Sequence, residues 1–208
     1  MKRLRKRYGD GIRFYHCGEY GEKYRRPHYH AIIFNFDSPD KKFWKMHNGN
    51  LLFRSKALEE LWPFGYATIG AVTFQSSAYV ARYIMKKING DAAAEHYTVT
   101  DPVTGELTKL HPEYTTMSRR PGIGRTFFEK FGSDIYPHDF VVANGRKLLP
   151  PKYYDRLFEV DDPDAFQKIK SNRVKKAKKN LDNNTPERLY VRKVVQEARL
   201  KRLVRNIE

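Results

Sequence analysis

The sequence has a single cysteine, no long hydrophobic run and a shortage of acidic residues. Because Cys17 is the only cysteine, an internal disulfide is impossible and a reducing compartment is the simpler setting. No apolar stretch has the length needed to span a membrane, and the N-terminus lacks a hydrophobic signal region. The sequence therefore predicts a cytoplasmic protein with no membrane partner.

Basic residues far outnumber acidic ones. The chain has 40 Lys and Arg against 24 Asp and Glu, a formal net charge of +16, which favours contacts with phosphate and salt-sensitive binding. Fourteen tyrosines and thirteen phenylalanines add surfaces for stacking. This composition favours a nucleic-acid partner, although a solvated basic surface over an aromatic core would look the same.

The length predicts one domain of ordinary size with an appendage. We predict an α+β domain over residues 1–149 and a basic helical extension over residues 150–208. The extension has 16 basic and 9 acidic side chains, with helical patterns over residues 161–179 and 186–205. Either it clamps duplex DNA or contacts a host replication partner, or it only has solvated helix faces.

Two histidines occupy alternate positions of a predicted strand. His28 and His30 lead into a β-branched and aromatic run over residues 31–36, so their side chains share one face. Residues 12–20 are a second strand candidate, and a loop centred on Lys23 and Tyr24 would join the two strands as a hairpin. This register places Glu19 opposite His28, on the histidine face.

One carboxylate and two imidazoles make a three-ligand metal set with open positions for substrate oxygen and water. The prediction depends on register, because a slip of one residue sends Glu19 to the other face. Non-haem iron oxygenases use the same ligand types, but the +16 charge disfavours that function. Cys17, opposite His30, is interpreted as a small buried residue in preference to a neighbour of the metal.

The segment from Tyr79 to Lys86 has a helical pattern, with Ser76 or Ser77 as the predicted N-cap. Tyr79 and Tyr83 are four residues apart and share a face, and Lys86 continues the same stripe. A tyrosine hydroxyl is a poor nucleophile at its usual pKa of about 10, so it needs a nearby cation or a polarised phosphate. Lys86 and the histidine site would supply these. The alternative is a pair of core tyrosines.

Other segments complete the predicted order of elements. We predict a helix over residues 55–62, a strand over residues 66–72 and a surface hairpin or loop within residues 90–114. A hairpin, helix, strand and helix in this order fit an α+β fold. In residues 118–131, arginines flank a glycine-containing turn, which is either a loop that holds DNA or an ordinary turn before a helix.

The ordered set of motifs resembles the HUH endonuclease superfamily, and specifically its two-tyrosine class of rolling-circle replication initiators. A closer resemblance is to the initiators of gokushovirus-type Microviridae phages. It is carried by residues 18–21, 26–31, 79–83, 118–124 and 184–188. The ordered set is far more specific than the two histidines alone.

This resemblance implies a metal-dependent endonuclease and ligase that nicks single-stranded DNA at a phage origin through a 5′-phosphotyrosine, with Mg²⁺ or Mn²⁺ as cofactor. It implies metal ligation by His28, His30 and Glu19, and catalysis by Tyr83, Tyr79 and Lys86. The residues that we expect to contact DNA are Arg82, Lys87, Arg119, Arg120 and Arg125. The implied partners are single-stranded and replicative-form phage DNA and a host helicase or other replication machinery, in the bacterial host cytoplasm.

Members of this family usually have a further helix and a first sheet strand ahead of the region where this chain starts. Residues 1–7 resemble the end of that helix. We therefore expect an antiparallel, HUH endonuclease-like sheet with helices that lacks its first strand. The alternative function is a non-catalytic DNA-binding remnant of an initiator.

Overall fold

A computed structural model describes residues 1–21 and 24–202. The chain divides into two compact units, Met1–Ile123 and a second unit that begins at Gly124. The architecture is α+β with small antiparallel sheets, which confirms the predicted fold class. The sequence-based boundary after residue 149 stays a prediction, and it lies inside the second unit.

The first unit contains the elements of the predicted site. In chain order they are α1 (Lys2–Tyr8), β1 (Arg13–Tyr20), β2 (Pro27–Phe34), β3 (Lys42–His47), β4 (Asn50–Arg54), α2 (Lys56–Leu61), α3 (Phe74–Arg82), a 3₁₀ turn (Tyr83–Lys86), α4 (Ala92–His96), β5 (Thr98–Thr100), β6 (Leu107–Lys109) and β7 (Tyr114–Met117).

An antiparallel sheet of three strands in the order β2-β1-β7 forms the centre of this unit. The register of β1 and β2 pairs Glu19 with His28 and Cys17 with His30, as the sequence predicts. Of the two residues at the predicted centre of the loop, Lys23 lies outside the described residues. The predicted register nevertheless holds along the whole strand pair.

The apolar side of the hairpin packs against α3. Cys17 and Ile32 form a buried cluster with Tyr79 and Val80. Burial raises the pKa of the Cys17 thiol to about 11, and the nearby negative charge of Glu19 adds to this effect. Cys17 is therefore a small buried residue, as the sequence interpretation favours.

A helix at the start of the chain is tied to the sheet. The side chain of Arg5 donates hydrogen bonds to the Ile12 carbonyl at 2.8 and 2.9 Å and to the Ser118 hydroxyl at 3.2 Å. Ser118 also accepts from the Phe14 amide at 3.1 Å. These bonds connect α1 to the start of β1 and to the residue that follows β7.

Two of the smaller elements agree with the sequence and one does not. Ser55 caps α2, and β5 and β6 form a hairpin between residues 90 and 114, as predicted. The strand predicted over residues 66–72 is wrong. Only Ile69 of this segment pairs, in a single bridge to Phe53, and Gly65 and Gly70 flank it without side chains to pack along a strand.

The second unit is mainly helical. Its elements are α5 (Arg125–Ile135), β8 (Val141–Ala143), β9 (Arg146–Leu148), α6 (Lys152–Asp161), α7 (Pro163–Lys178), a 3₁₀ turn (Leu181–Asn184) and α8 (Pro186–Lys201). The core contains Phe128, Ile135, Tyr136, Phe166 and Ile169. Within the described residues, α7 and α8 confirm the two predicted helices, and Thr185 caps α8 as expected.

Among the described residues, no helix is both long enough and apolar enough to cross a membrane.

Candidate active site

The hairpin of β1 and β2 brings three predicted ligands to one place. One oxygen of Glu19, Oε1, lies 3.3 Å from Nδ1 of His28 and 3.6 Å from Nε2 of His30. Paired residues of antiparallel strands point to the same face, and alternate residues share it, so the register alone produces this cluster.

Glu19 is buried within this cluster, with 3% of its side chain exposed. Its second oxygen, Oε2, accepts a hydrogen bond from Nζ of Lys86 at 2.6 Å. Burial acts to raise the pKa of this carboxyl, but hydrogen bonds from His30 and Lys86 outweigh burial, so the pKa lies below its ordinary value. Glu19 is therefore an anion that is shared between the histidines and the lysine.

The helix α3 places the tyrosines over the hairpin. It begins one turn earlier than the sequence predicts, because Thr73 is the N-cap and forms a capping box with Ser76. The predicted caps Ser76 and Ser77 are therefore wrong, since both lie inside the helix. After Arg82 the chain tightens into the 3₁₀ turn, which contains Tyr83 and Lys86.

We expect Thr73→Ala to lower the free energy of unfolding of the first unit by about 1 kcal/mol, because the amide of Ser76 loses its acceptor. The measurement is urea unfolding followed by tryptophan fluorescence, since both tryptophans, Trp44 and Trp62, lie in this unit. The matched control is Ser77→Ala, inside the helix, which should change stability by only a few tenths of a kcal/mol. Equal losses in both variants would contradict Thr73 as the cap.

The tyrosines and His30 form a compact aromatic group. The ring of Tyr83 stacks on His30 with 4.4 Å between centroids and 11° between planes, and Tyr79 meets His30 edge-on at 6.0 Å. The hydroxyl of Tyr83 is hydrogen-bonded to the hydroxyl of Tyr79. Nζ of Lys86 lies 5.0 Å from the centre of the Tyr83 ring. The i, i+4 spacing therefore does place both hydroxyls together, beside a cation.

The donor types present suit a hard divalent cation with mixed nitrogen and oxygen ligands. His28, His30 and Glu19 converge, and they fit this chemistry by donor type and by strand register. However, no three His, Cys, Asp or Glu side chains of residues 1–21 and 24–202 are already arranged as a metal-binding group. In the structure Glu19 instead contacts both histidines and Lys86 directly.

The residues predicted to contact DNA are spread over several elements. Arg82 and Lys87 flank the 3₁₀ turn, and the Arg82 guanidinium lies 5.8 Å from the Tyr79 ring centre. Arg119 and Arg120 are exposed in the loop after β7, where the Arg120 carbonyl accepts a hydrogen bond from Arg13. Arg125 begins α5 in the second unit and pairs with Glu129 at 2.7 Å. Arg82 and Lys87 are therefore the two that adjoin the tyrosines in sequence.

The contact of Lys86 with Glu19 is the main feature that sequence reasoning missed. The two residues are 67 positions apart, and nothing local in the sequence connects them. The available signal was chemical: a glutamate buried between two histidines needs a compensating cation. The motif lysine is the cation that the α3 segment delivers.

Comparison with known proteins places this geometry in a family context. Residues 1–88, which include the hairpin and the tyrosine turn, match the family model described as replication-associated protein ORF2. The chain is a relative of phage replication-associated proteins. This relationship confirms the predicted resemblance at the level of replication-associated proteins from Microviridae-type phages.

Three relatives span most of this chain. Replication-associated protein VP4 of Bdellovibrio phage phiMH2K is 32% identical over 173 residues, which are 79% of this chain and 51% of that protein. Replication-associated protein ORF2 of Spiroplasma virus 4 is 34% identical over 82% of this chain and 51% of its own length. Replication-associated protein ORF4 of Chlamydia phage 1 is 29% identical over 76% and 39%. The chain thus spans about half the length of the first two relatives. No solved structure gives a significant match.

Proposed function

We propose that this protein initiates rolling-circle replication of a phage genome by nicking single-stranded DNA with a tyrosine nucleophile. Oη of Tyr83 attacks the scissile phosphorus and gives up its proton, the bond from phosphorus to the 3′ oxygen breaks, and that oxygen takes up a proton. The products are a 5′-phosphotyrosine and a free 3′ hydroxyl. One phosphodiester replaces another, so attack by a 3′ hydroxyl can later rejoin the strand.

The observation that carries this proposal is the position of Tyr83 in the aromatic group. Its ring lies flat on His30, its hydroxyl contacts Tyr79, and it is more exposed than Tyr79, which is 8% exposed. A DNA strand can therefore reach Tyr83 more readily, which supports Tyr83 as the first nucleophile. Tyr79 would make the second cut after a full circle.

Two groups would assist the attack. Lys86, with its ammonium near the Tyr83 ring, would stabilise the phenolate that forms as the hydroxyl loses its proton. His28, His30 and Glu19 would hold Mg²⁺ or Mn²⁺. When bound, such a cation supplies Lewis-acid polarisation of the scissile phosphate.

The proposed partners follow from the same reaction. Single-stranded and replicative-form phage DNA would be the substrates, and the net charge of +16 supports binding to them. A host helicase would unwind the nicked duplex, and the reaction would take place in the bacterial host cytoplasm. Arg82, Lys87, Arg119, Arg120 and Arg125 would contact DNA phosphates.

A second candidate is a DNA-binding remnant without nuclease activity. The contact between Lys86 and Glu19 favours it, because the ammonium already neutralises the carboxylate that the proposed metal would use. A remnant of this kind would still bind DNA through its positive charge. The two functions differ in one product, the covalent adduct.

The deciding experiment incubates the protein with a labelled single-stranded oligonucleotide from the parent phage genome and Mn²⁺. We expect a protein–DNA band that survives a denaturing gel. EDTA and the double variant His28→Ala/His30→Ala should both remove this band. The control His111→Ala/His138→Ala changes two exposed histidines outside the site and should leave it unchanged.

Two results would count against this function. Normal DNA binding without an adduct would identify the non-catalytic remnant. An adduct that persists in EDTA and in the His28→Ala/His30→Ala variant would overturn the metal site.

A further inference from the structure

The hairpin of β3 and β4 displays aromatic rings together with cations, away from the predicted site residues in sequence. We name Trp44, Lys45, Arg54 and Tyr66 the stacking patch. We propose that the stacking patch binds bases of single-stranded DNA. The inference rests on the proposed function in one respect, since it takes the substrate of that function as the ligand.

A β-bulge exposes the first ring of the patch. The register of β3 and β4 passes from the pair Phe43 and Phe53 directly to the pair Lys45 and Leu52, so Trp44 is the extra residue of the bulge. A bulge redirects a side chain out of the alternating pattern of a strand. Trp44 is 46% exposed as a result, a large value for an indole.

The second ring, Tyr66, lies in the segment after α2 and is 87% exposed. The Arg54 guanidinium connects the two rings, because its Cζ lies 4.9 Å from the Tyr66 ring centre and 5.7 Å from that of Trp44. Nε of Arg54 also donates to Glu59 at 2.7 Å, which fixes the guanidinium in this position. The patch is therefore held in place although its rings face solvent.

Cations surround the rings. Nζ of Lys45 lies 4.2 Å from the ring centre of Trp44. Residues 41–56 contain five cations and no Asp or Glu, namely Lys41, Lys42, Lys45, Arg54 and Lys56. Two of them have acidic partners outside this stretch, Lys41 with Asp37 and Arg54 with Glu59.

A polyanion with flat apolar faces is the ligand that this chemistry fits. Aromatic faces next to positive charge bind single strands by stacking on bases while the cations contact phosphates. A duplex keeps its bases stacked on each other, so its bases cannot use the rings. The patch therefore favours single-stranded over double-stranded DNA.

The test compares two double variants in EDTA, where metal-dependent cleavage cannot occur. Trp44→Leu/Tyr66→Leu keeps apolar side chains but removes the ring faces, and Trp44→Phe/Tyr66→Phe keeps the faces. Affinity is measured by fluorescence anisotropy with a labelled oligothymidylate and with an abasic oligonucleotide of the same length. Circular dichroism confirms that both variants are folded.

We expect the leucine variant to bind oligothymidylate about tenfold or more weakly than the unchanged protein, with a smaller loss in the phenylalanine variant. Both should bind the abasic strand as the unchanged protein does. Equal affinity of all three proteins for oligothymidylate would overturn the proposal, and so would equal losses on both oligonucleotides. The second result would mean that the rings only support the phosphate-binding cations.

A second measurement leaves the patch intact. In the Trp62→Phe protein, Trp44 is the only tryptophan, and its fluorescence should fall on addition of oligothymidylate but not of the abasic strand. The adduct assay is independent of both measurements. An adduct without base-dependent binding would leave the nuclease standing and remove the patch, whereas base-dependent binding without an adduct would do the reverse.

Discussion

Tyr83→Phe is expected to abolish the covalent protein–DNA adduct. The substitution removes only the hydroxyl, so the ring can keep its stacking on His30 and the buried cluster should stay intact. Without Oη no phosphotyrosine can form at this position. The measurement is the denaturing-gel assay with Mn²⁺ and a labelled single strand, scored as the fraction of DNA linked to protein.

Two further variants make this result specific. Tyr79→Phe should keep the first adduct and lose the second cleavage, since one nucleophile remains. Tyr15→Phe removes a hydroxyl from a residue that packs on the same cluster, and it should leave the adduct at its normal level. An undiminished adduct in Tyr83→Phe would transfer the first attack to Tyr79.

Arg173→Met should lower the stability of the second unit by about 3 kcal/mol. Arg173 binds Asp139 at 2.5 Å and Asp155 at 2.8 Å, and Asp155 also accepts a hydrogen bond from Tyr136 at 2.6 Å. The two carboxylates are only 9% and 15% exposed. Removal of the guanidinium leaves two poorly solvated anions without their shared cation, which is far more costly than the loss of a surface ion pair.

This effect should depend on pH. Burial acts to raise the pKa of Asp155, but hydrogen bonds from Arg173 and Tyr136 outweigh it and hold the pKa below its ordinary value of 3.8. The stabilisation by this carboxylate is therefore complete above that value and is lost as the pH falls through the lower folded-state pKa. The gap in stability between the unchanged protein and Arg173→Met should narrow as the pH falls below about 4.

Hydrogen exchange of the α6 and α7 amides is the appropriate measurement, because both tryptophans lie in the first unit and do not report on the second. The matched control is Lys170→Met on the same helix. Lys170 pairs with Glu159, but both side chains are nearly half exposed, so we expect a loss below about 1 kcal/mol. Similar losses for Arg173 and Lys170 would refute a structural role for the buried ion cluster.

Sequence reasoning succeeded where the geometry is local. The pairing of Glu19 with His28 follows from the length of the hairpin connection, and the proximity of Tyr79 and Tyr83 follows from helical spacing. Such relations depend on a few adjacent residues, so strand and helix periods are sufficient to predict them. The predicted helices in the C-terminal part succeeded for the same reason, since Thr185 and Pro186 are a strong local start signal.

Errors arose where distant residues or competing signals decide the structure. Three hydroxyl residues, Thr73, Ser76 and Ser77, could each begin α3, and the capping box selected the first. The strand predicted over residues 66–72 requires a partner ladder, which the chain supplies at a single bridge. The hairpin of β8 and β9 was missed although Asn144 and Gly145 mark its turn, with positive φ at both residues.

The order of these parts along the chain has an evolutionary consequence. All six residues of the candidate active site come from residues 19–30 and 79–86, whereas the stacking patch comes entirely from the intervening segment. Recombination or drift within residues 41–66 could therefore change which strand a relative prefers while the nucleophiles and their histidines are inherited unaltered. Chimaeras that exchange this segment between related phages would separate the inheritance of DNA preference from the inheritance of chemistry.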